Sequence, residues 1–239
     1  MKVLSLFVLA LAVGLTFGAS RTSADSFSYG LDVGNSALSG FIKDFAAVQV
    51  DLVNPNMALI SFSSLFVGGR PYLLGGVDAV DVNVNANSWS IGTISAIPYI
   101  GGFTPGPFTD EGSGHVGSFG VFNLRVDSFD GFSHSSRIVT FMLTNTSGTW
   151  SSAANVLVSN ADGFVAAAHI FVPNDIFPIN ASNGAVATGF AAADPPAVTT
   201  PEPSSLVLLL TGLVGFAGAR RRKLFVDEIT DSKADVPRT

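Results

Sequence analysis

The chain of 239 residues contains no cysteine. Disulfides, thiolate zinc sites, cysteine nucleophiles and lipoprotein acylation are therefore excluded. Charge is scarce too. Lys, Arg, Asp and Glu together make up 13% of the residues, about half of the roughly 25% usual in soluble proteins. Between Asp25 and Thr200 the strong bases are Lys43, Arg70, Arg125 and Arg137 alone, against thirteen acids, so that segment carries a net charge of −9 compared with −6 for the whole chain. Such a field repels phosphate backbones, and no basic patch offsets it, which excludes nucleic acid as a partner. Histidine is limited to His115, His134 and His169, and Glu111 is the one glutamate of the segment. No His-Glu-x-x-His pattern offers paired zinc ligands, and a glycosidase pair would have to be built from aspartates. No Gly-x-Ser-x-Gly elbow presents a nucleophilic serine.

What the chain does have is two apolar runs at its ends and a body of short strands between them. Lys2 precedes the apolar run Val3–Val13, and Thr22-Ser23-Ala24 puts small residues at the positions that a secretory cleavage site needs. Residues 1–24 are read as a signal peptide, helical in its apolar part, cut between Ala24 and Asp25. Roughly 170 residues then remain, enough to bury a core without disulfides.

Runs of Val, Ile, Phe, Thr and Leu in that body are broken by Gly, Pro, Asn and Asp, and no stretch shows an apolar period of 3.6. Ala46, Val48, Val50 and Leu52 alternate with Ala47, Gln49 and Asp51. Further strands are expected over Leu59–Val67, closed by Gly68-Gly69, over Phe119–Val126 and over Ile138–Thr144. Asn160-Ala161-Asp162-Gly163 between Val156–Ser159 and Phe164–Val172 reads as a hairpin turn, and Asn183-Gly184 between Pro178–Ile179 and Val186–Phe190 repeats the pattern. The expected fold is all-β, an antiparallel β-sandwich or jelly-roll-like body over residues 25–193. Gly101–Pro107 is read as a long loop inside that one domain. Composition marks Ala191–Thr200 as linker, with Pro195-Pro196 favouring extended backbone; the domain edge is set at 193, leaving 194–200 as a Pro-rich linker.

The tail has three parts in order: Pro201-Glu202-Pro203, an apolar run to Ala219, and the cluster Arg220-Arg221-Arg222-Lys223. Ser204–Ala219 as a helix spans roughly 24 Å, short against a hydrocarbon core of about 30 Å. Snorkelling arginines close part of that gap. The segment is read as a single C-terminal transmembrane helix whose basic stop stays cytoplasmic and leaves the body outside. Residues 224–239 form a charged cytoplasmic extension.

This tail resembles the PEP-CTERM sorting signal. The resemblance implies a substrate of an exosortase, a membrane-embedded transpeptidase-like enzyme of Gram-negative bacteria. It implies transient anchoring in the inner membrane over 201–223, processing near Pro201-Glu202-Pro203, and transfer to the cell surface or beyond, often among exopolysaccharide. The extension 224–239 departs from the pattern, which usually ends soon after the arginines. On that basis the expected function is that of an exported surface or matrix component, without enzymatic activity or cofactor, with exosortase, the inner membrane and exopolysaccharide as partners. An extracellular glycan-acting hydrolase and a calcium-dependent adhesin are the alternatives.

Candidate chemistry in the body reads mostly as structure. Asp81-x-Asn83-x-Asn85 begins like a calcium loop, but Ala86 stands where glycine is needed and Gly92 where a bidentate glutamate is needed. A strand with Val82, Val84 and Ala86 inward and Asp81, Asn83, Asn85 and Asn87 outward explains the same letters. A looser calcium site would draw on loop carboxylates such as Asp127, Asp130 and Asp162. Ser133 and His134 beside Asp130 do not make a triad, since neighbours along a chain do not point at one another. Trp89, Trp150, Tyr72 and Tyr99 are read as core aromatics first, and as a sugar-stacking platform only second.

Overall fold

Alternating burial sets the architecture. In the computed structural model, which describes residues 25–174 and 177–195, the strand Ala46–Asn54 buries Ala46, Val48 and Val50 completely and leaves Gln49 exposed. In chain order the strands are β1 (Asp25–Leu31), β2 (Val33–Gly34), β3 (Ala46–Asn54), β4 (Met57–Ser64), β5 (Phe66–Val67), β6 (Arg70–Pro71) and β7 (Leu73–Leu74). They continue with β8 (Val80–Val82), β9 (Trp89–Ile91), β10 (Ser95–Pro98), β11 (Phe108–His115) and β12 (Val121–Ser128). The last three are β13 (Ser136–Asn145), β14 (Ala166–Pro173) and β15 (Ala185–Ala193). The helical pieces among the described residues are 3₁₀ turns of three residues each, and none is long or apolar enough to cross a membrane. The all-β expectation for the body is met.

The sequence leaves open a sandwich or a jelly roll. The structure is one antiparallel sheet folded over on itself, in the order β1-β3-β4-β13-β7-β14-β8-β12-β11, with β9 and β10 added to β13, β15 to β14, and β2 to β15. The small β5–β6 hairpin stands apart, turning through Gly68 and Gly69 with φ of 62° and 82°, as a type I′ turn requires. Two-residue β7 joins the halves: Leu74 pairs with Ser136 of β13 and with Ile170 of β14. The inner faces share one core. Val48, Ile60, Phe62, Val139, Phe141 and Leu143 come from the first half, and Val80, Val82, Leu124, Val126, Ala168 and Ile170 from the second. Each such aliphatic or aromatic side chain removed from water contributes about 1.5–3 kcal/mol.

The second half is covered on its outer face as well. One cluster sets Val116, Phe119 and Phe122 against Ala167 and Ala192. Another sets Phe103, from the long loop, and Ile179 against Leu73 and Phe171. The glycine- and proline-rich loop 101–107 therefore packs onto a sheet instead of separating two domains.

Two expected hairpin arms are corrected. Val156–Ser159 is no strand: Val156 and Leu157 drop into the main core at its end, and the segment makes one isolated bridge, Leu157 to Val84. Asn160 accordingly closes a local turn, its Oδ1 accepting from the amides of Asp162 and Phe164. Pro178–Ile179 is likewise no strand, and β14 pairs with β15 across residues 174–184. Ala191–Ala193, linker by composition, is fully buried and ends β15. The described unit closes at Pro195. The signal peptide 1–24, linker residues 196–200, the sorting segment 201–223 and the extension 224–239 lie outside the described residues.

Candidate functional site

Strand alternation puts Asp81 on the outer face of β8, between Val80 and Val82, which both face the core. The sequence reading has the face right but not the surroundings. Asp81 is 1% exposed, because it sits between Arg125 of β12 and Ala167 of β14 in the ladder. Both of its carboxyl oxygens lack a partner of hydrogen-bond geometry among the described residues, as does Arg125 Nε. Burial pushes the Asp81 carboxyl well above the usual carboxylate range; Asp78 and then Asp127 push the same way, against Arg125 and the Val126 amide. An isolated carboxylate in such a place is neutralised by a proton sooner than held charged.

The neighbours form the one ion pair among the described residues. Arg125 Nη1 donates to Asp78 Oδ1 at 2.7 Å, with both side chains largely buried. Asp78 holds a left-handed backbone with φ of 53°, and its amide donates to Asp127 Oδ1 at 2.7 Å. Burial raises Asp127 too, although the Asp78 amide favours its charged form. Gly114 of β11 lies against the Arg125 guanidinium, where a Cβ would overlap it. The cluster is therefore an Arg125–Asp78 ion pair under an edge strand, flanked by two carboxyl groups, Asp81 and Asp127, that burial shifts toward the protonated form.

The histidines are engaged or peripheral. His169 Nδ1 donates to the Val77 carbonyl at 3.1 Å, and Nε2 accepts from the Thr188 hydroxyl at 2.5 Å. Its ring stacks on Phe190 at 4.6 Å. Burial lowers its pKa, so the ring is neutral, and neither nitrogen is free for a metal or a substrate proton. His134 Nδ1 meets the Gly106 carbonyl at 3.0 Å and makes no hydrogen bond with Ser133. His115 ends β11, exposed.

Asp127, Asp130 and Asp162, the acids of the looser calcium reading, are not brought together. Asp162 lies against Gly120, before β12, while Asp127 and Asp130 lie at or beyond its far end, close to Gly76 and Asp78. Seven residues of strand separate the two places by about 23 Å. No three His, Asp or Glu side chains among the described residues converge as metal ligands. Asn83 and Asn85 of the imitation calcium loop tie the 155–158 segment instead, donating to the carbonyls of Val158 and Asn155.

The four aromatics do not share a face. Trp150 and Tyr72 are buried, donating to the carbonyls of Asn85 and Ile42 at 2.7 Å. Trp89 packs on the main core, and Tyr99 packs on the Leu73–Phe171 cluster while lining a surface groove. The residues that sequence reasoning missed are Asp78, Arg125 and Arg137. The signal for the two arginines was rarity, as two of only four bases in the body; Asp78 carried none.

Of the predicted transport residues, Asp25 is the first of β1, and its carboxylate accepts from the Ala153 amide at 2.7 Å. Ala24, Pro201, Glu202, Pro203, Arg220, Arg221, Arg222 and Lys223 lie outside the described residues.

The described all-β body ends at Pro195, and a sorting signal follows it within a few residues. Residues 199–223 match the PEP-CTERM protein-sorting motif. The chain is a PEP-CTERM sorting domain-containing protein, and the motif supports an exosortase-sorted extracellular surface protein. No curated protein matches the chain, and no solved structure does.

Proposed function

We propose that this is a non-enzymatic component of the cell surface or extracellular matrix. Its β-sandwich body is held briefly in the inner membrane through 201–223, then released by an exosortase and set among exopolysaccharide. The sorting motif at 199–223, directly behind a body that closes at Pro195, carries the reading. The structural engagement of His169 and His134, and the burial of Asp81, support the non-enzymatic part, since a catalytic group must reach its substrate.

Deleting Pro201–Lys223 in the producing cell tests the sorting. The wild-type body is expected at the surface and its mature C-terminus, by mass spectrometry, near Pro201-Glu202-Pro203. Unchanged surface display of the deletion, or a mature surface form that retains Arg220–Lys223, would refute it.

A further inference from the structure

Between Ile97 and Pro98 the β10–β13 register slips. Ile97 pairs with Ile138 but Pro98 with Ser136, so Arg137 is the extra residue of a β-bulge. The same point is where β13 changes partners on its other side, from Ser63 of β4 to Leu74 of β7. A bulge re-aims the side chain it carries. Arg137 is exposed and lines a surface groove of about 410 Å³ together with Ile97, Pro98, Tyr99 and Ile100.

Two of the other three bases of the body are engaged. Arg125 is held by Asp78, and Arg70 lies over the Phe41 ring. Arg137 has no ion pair among the described residues, although the body is strongly acidic. Tyr99 beside it is fixed edge-on by Phe103, with ring centroids 6.5 Å apart at 79°. Its hydroxyl donates no hydrogen bond among the described residues. Ile97 and Ile100 are about half or more exposed, so the groove has apolar walls and one cation.

The geometry points to a binding subsite for a carboxylate-bearing sugar ring, a hexuronate unit of an acidic polysaccharide. The guanidinium fork matches a carboxylate bidentately. The apolar face of a pyranose ring meets Tyr99 and the Ile97 and Ile100 side chains, as ring faces do in mostly apolar pockets with few polar groups. The net charge of the body repels a polyanion everywhere else, but that repulsion fades over about 8 Å at physiological salt. Attraction at this groove is therefore local, one sugar unit at a time. Single units bind weakly, and a polymer gains by multivalency across many displayed copies. This inference rests on the exopolysaccharide contact proposed above and names its chemistry.

Full-length protein in detergent micelles, with EDTA present, is titrated calorimetrically with oligogalacturonate, and separately with a neutral glucose oligomer of equal length. The expected result is millimolar binding of the uronate alone, weakening as salt rises from 50 to 200 mM. Arg137→Ala lowers it at least tenfold at an unchanged melting temperature, Tyr99→Ala lowers it as well, and Arg137→Lys retains part. Equal binding of the neutral oligomer, no uronate binding, or indifference to Arg137→Ala overturns the subsite, as does equal binding of an oligoglutamate peptide. Surface display in the deletion experiment is read independently. Lost display of the deletion without uronate binding by the full chain removes this inference alone, and unchanged display of the deletion beside uronate binding removes the sorting function proposed for the chain alone.

Discussion

At the residue scale the unusual feature is a buried carboxyl group whose oxygens have no partner of hydrogen-bond geometry among the described residues. Asp81 was legible as a strand residue facing away from the core, because Val80 and Val82 flank it. Its burial was not, since a period of two says which face a side chain takes and nothing about what covers that face. Its ladder neighbours, Arg125 and Ala167, come from elsewhere in the chain. The consequence for stability has a definite sign. The folded-state pKa lies above the usual value of 3.8, so between about pH 4 and that higher value the native state binds more protons than the unfolded one. Stability therefore falls as pH rises through this window and is retained below it. Asp127, raised in the same direction, adds to the slope; Asp78, Arg125 and Glu111 are the charges facing the pair. Asp81→Asn removes the titration and keeps the shape. Each tenfold in proton affinity corresponds to about 1.4 kcal/mol, and 1 kcal/mol moves the melting temperature of a domain this size by about 2–4 °C. The variant is expected to melt higher than wild type at pH 7 and level with it at pH 4, by circular dichroism. A lower melting temperature at pH 7 would show that Asp81 is held as a satisfied anion. Gly101 is a second position where one atom decides. Its φ is +99°, and a Cβ would overlap the Ile179 carbonyl oxygen, while its own carbonyl accepts from the Ala181 amide at 2.9 Å. Gly101→Ala should cost about 2 kcal/mol or more, measured as a lower urea midpoint; an unchanged midpoint would mean that the loop does not need this contact.

At the element scale, local patterns told where strands lie but not how they pair. β3 and β13 were readable because one face of each is dry and the other wet, which gives a clean alternation. β14 and most of β15 were legible as the strands Phe164–Val172 and Val186–Phe190, but the end of β15 was not, because both of its faces are covered there. Ala166, Ala167 and Ala168 pair with Ala193, Ala192 and Ala191, six alanines that are all fully buried. Composition alone gave the last three to the linker, since alanine before proline carries no period. In the structure the small side chains let two layers approach. Ala168 and Ala191 face the main core, and Ala167 and Ala192 face Phe119 and Phe122. The Asp162-Gly163 turn signal was genuine at its own scale, but a turn does not supply a partner strand. Val156 and Leu157 gain more by filling the open end of the core than by pairing with β14. The ladder has no spare volume on its outer face, so Ala167→Leu is expected to destabilise by about 1–3 kcal/mol through overpacking. The larger residue should be better tolerated at Ala37, which is exposed. Equal chemical-denaturation midpoints for the two variants would contradict the packing described for the ladder.

At the scale of the whole molecule, transport and folding are written in different parts of the chain. The tail was legible because three features in fixed order, a Pro-Glu-Pro, an apolar run and a cationic stop, leave little room for coincidence. The groove at Arg137 was not legible, because a bulge is a disagreement between two strands and no single strand records it. Among the described residues the three hydrophobic clusters are built between Phe27 and Ala193, and the compact unit ends at Pro195. Roughly 170 residues also suffice for a core that needs no covalent staple. A chain cut to residues 25–195 is therefore expected to fold without the tail. It should melt in one cooperative transition, indifferent to reductant, and within about 3 °C of the full-length protein in the same detergent. Calcium at millimolar concentration should leave that transition in place, because a ligand that does not bind the native state adds no stability. A broad, non-cooperative transition of the truncated chain would mean that residues beyond Pro195 complete the core. The body could not then be a separable cargo, and the sorting segment would have to be counted as part of the fold.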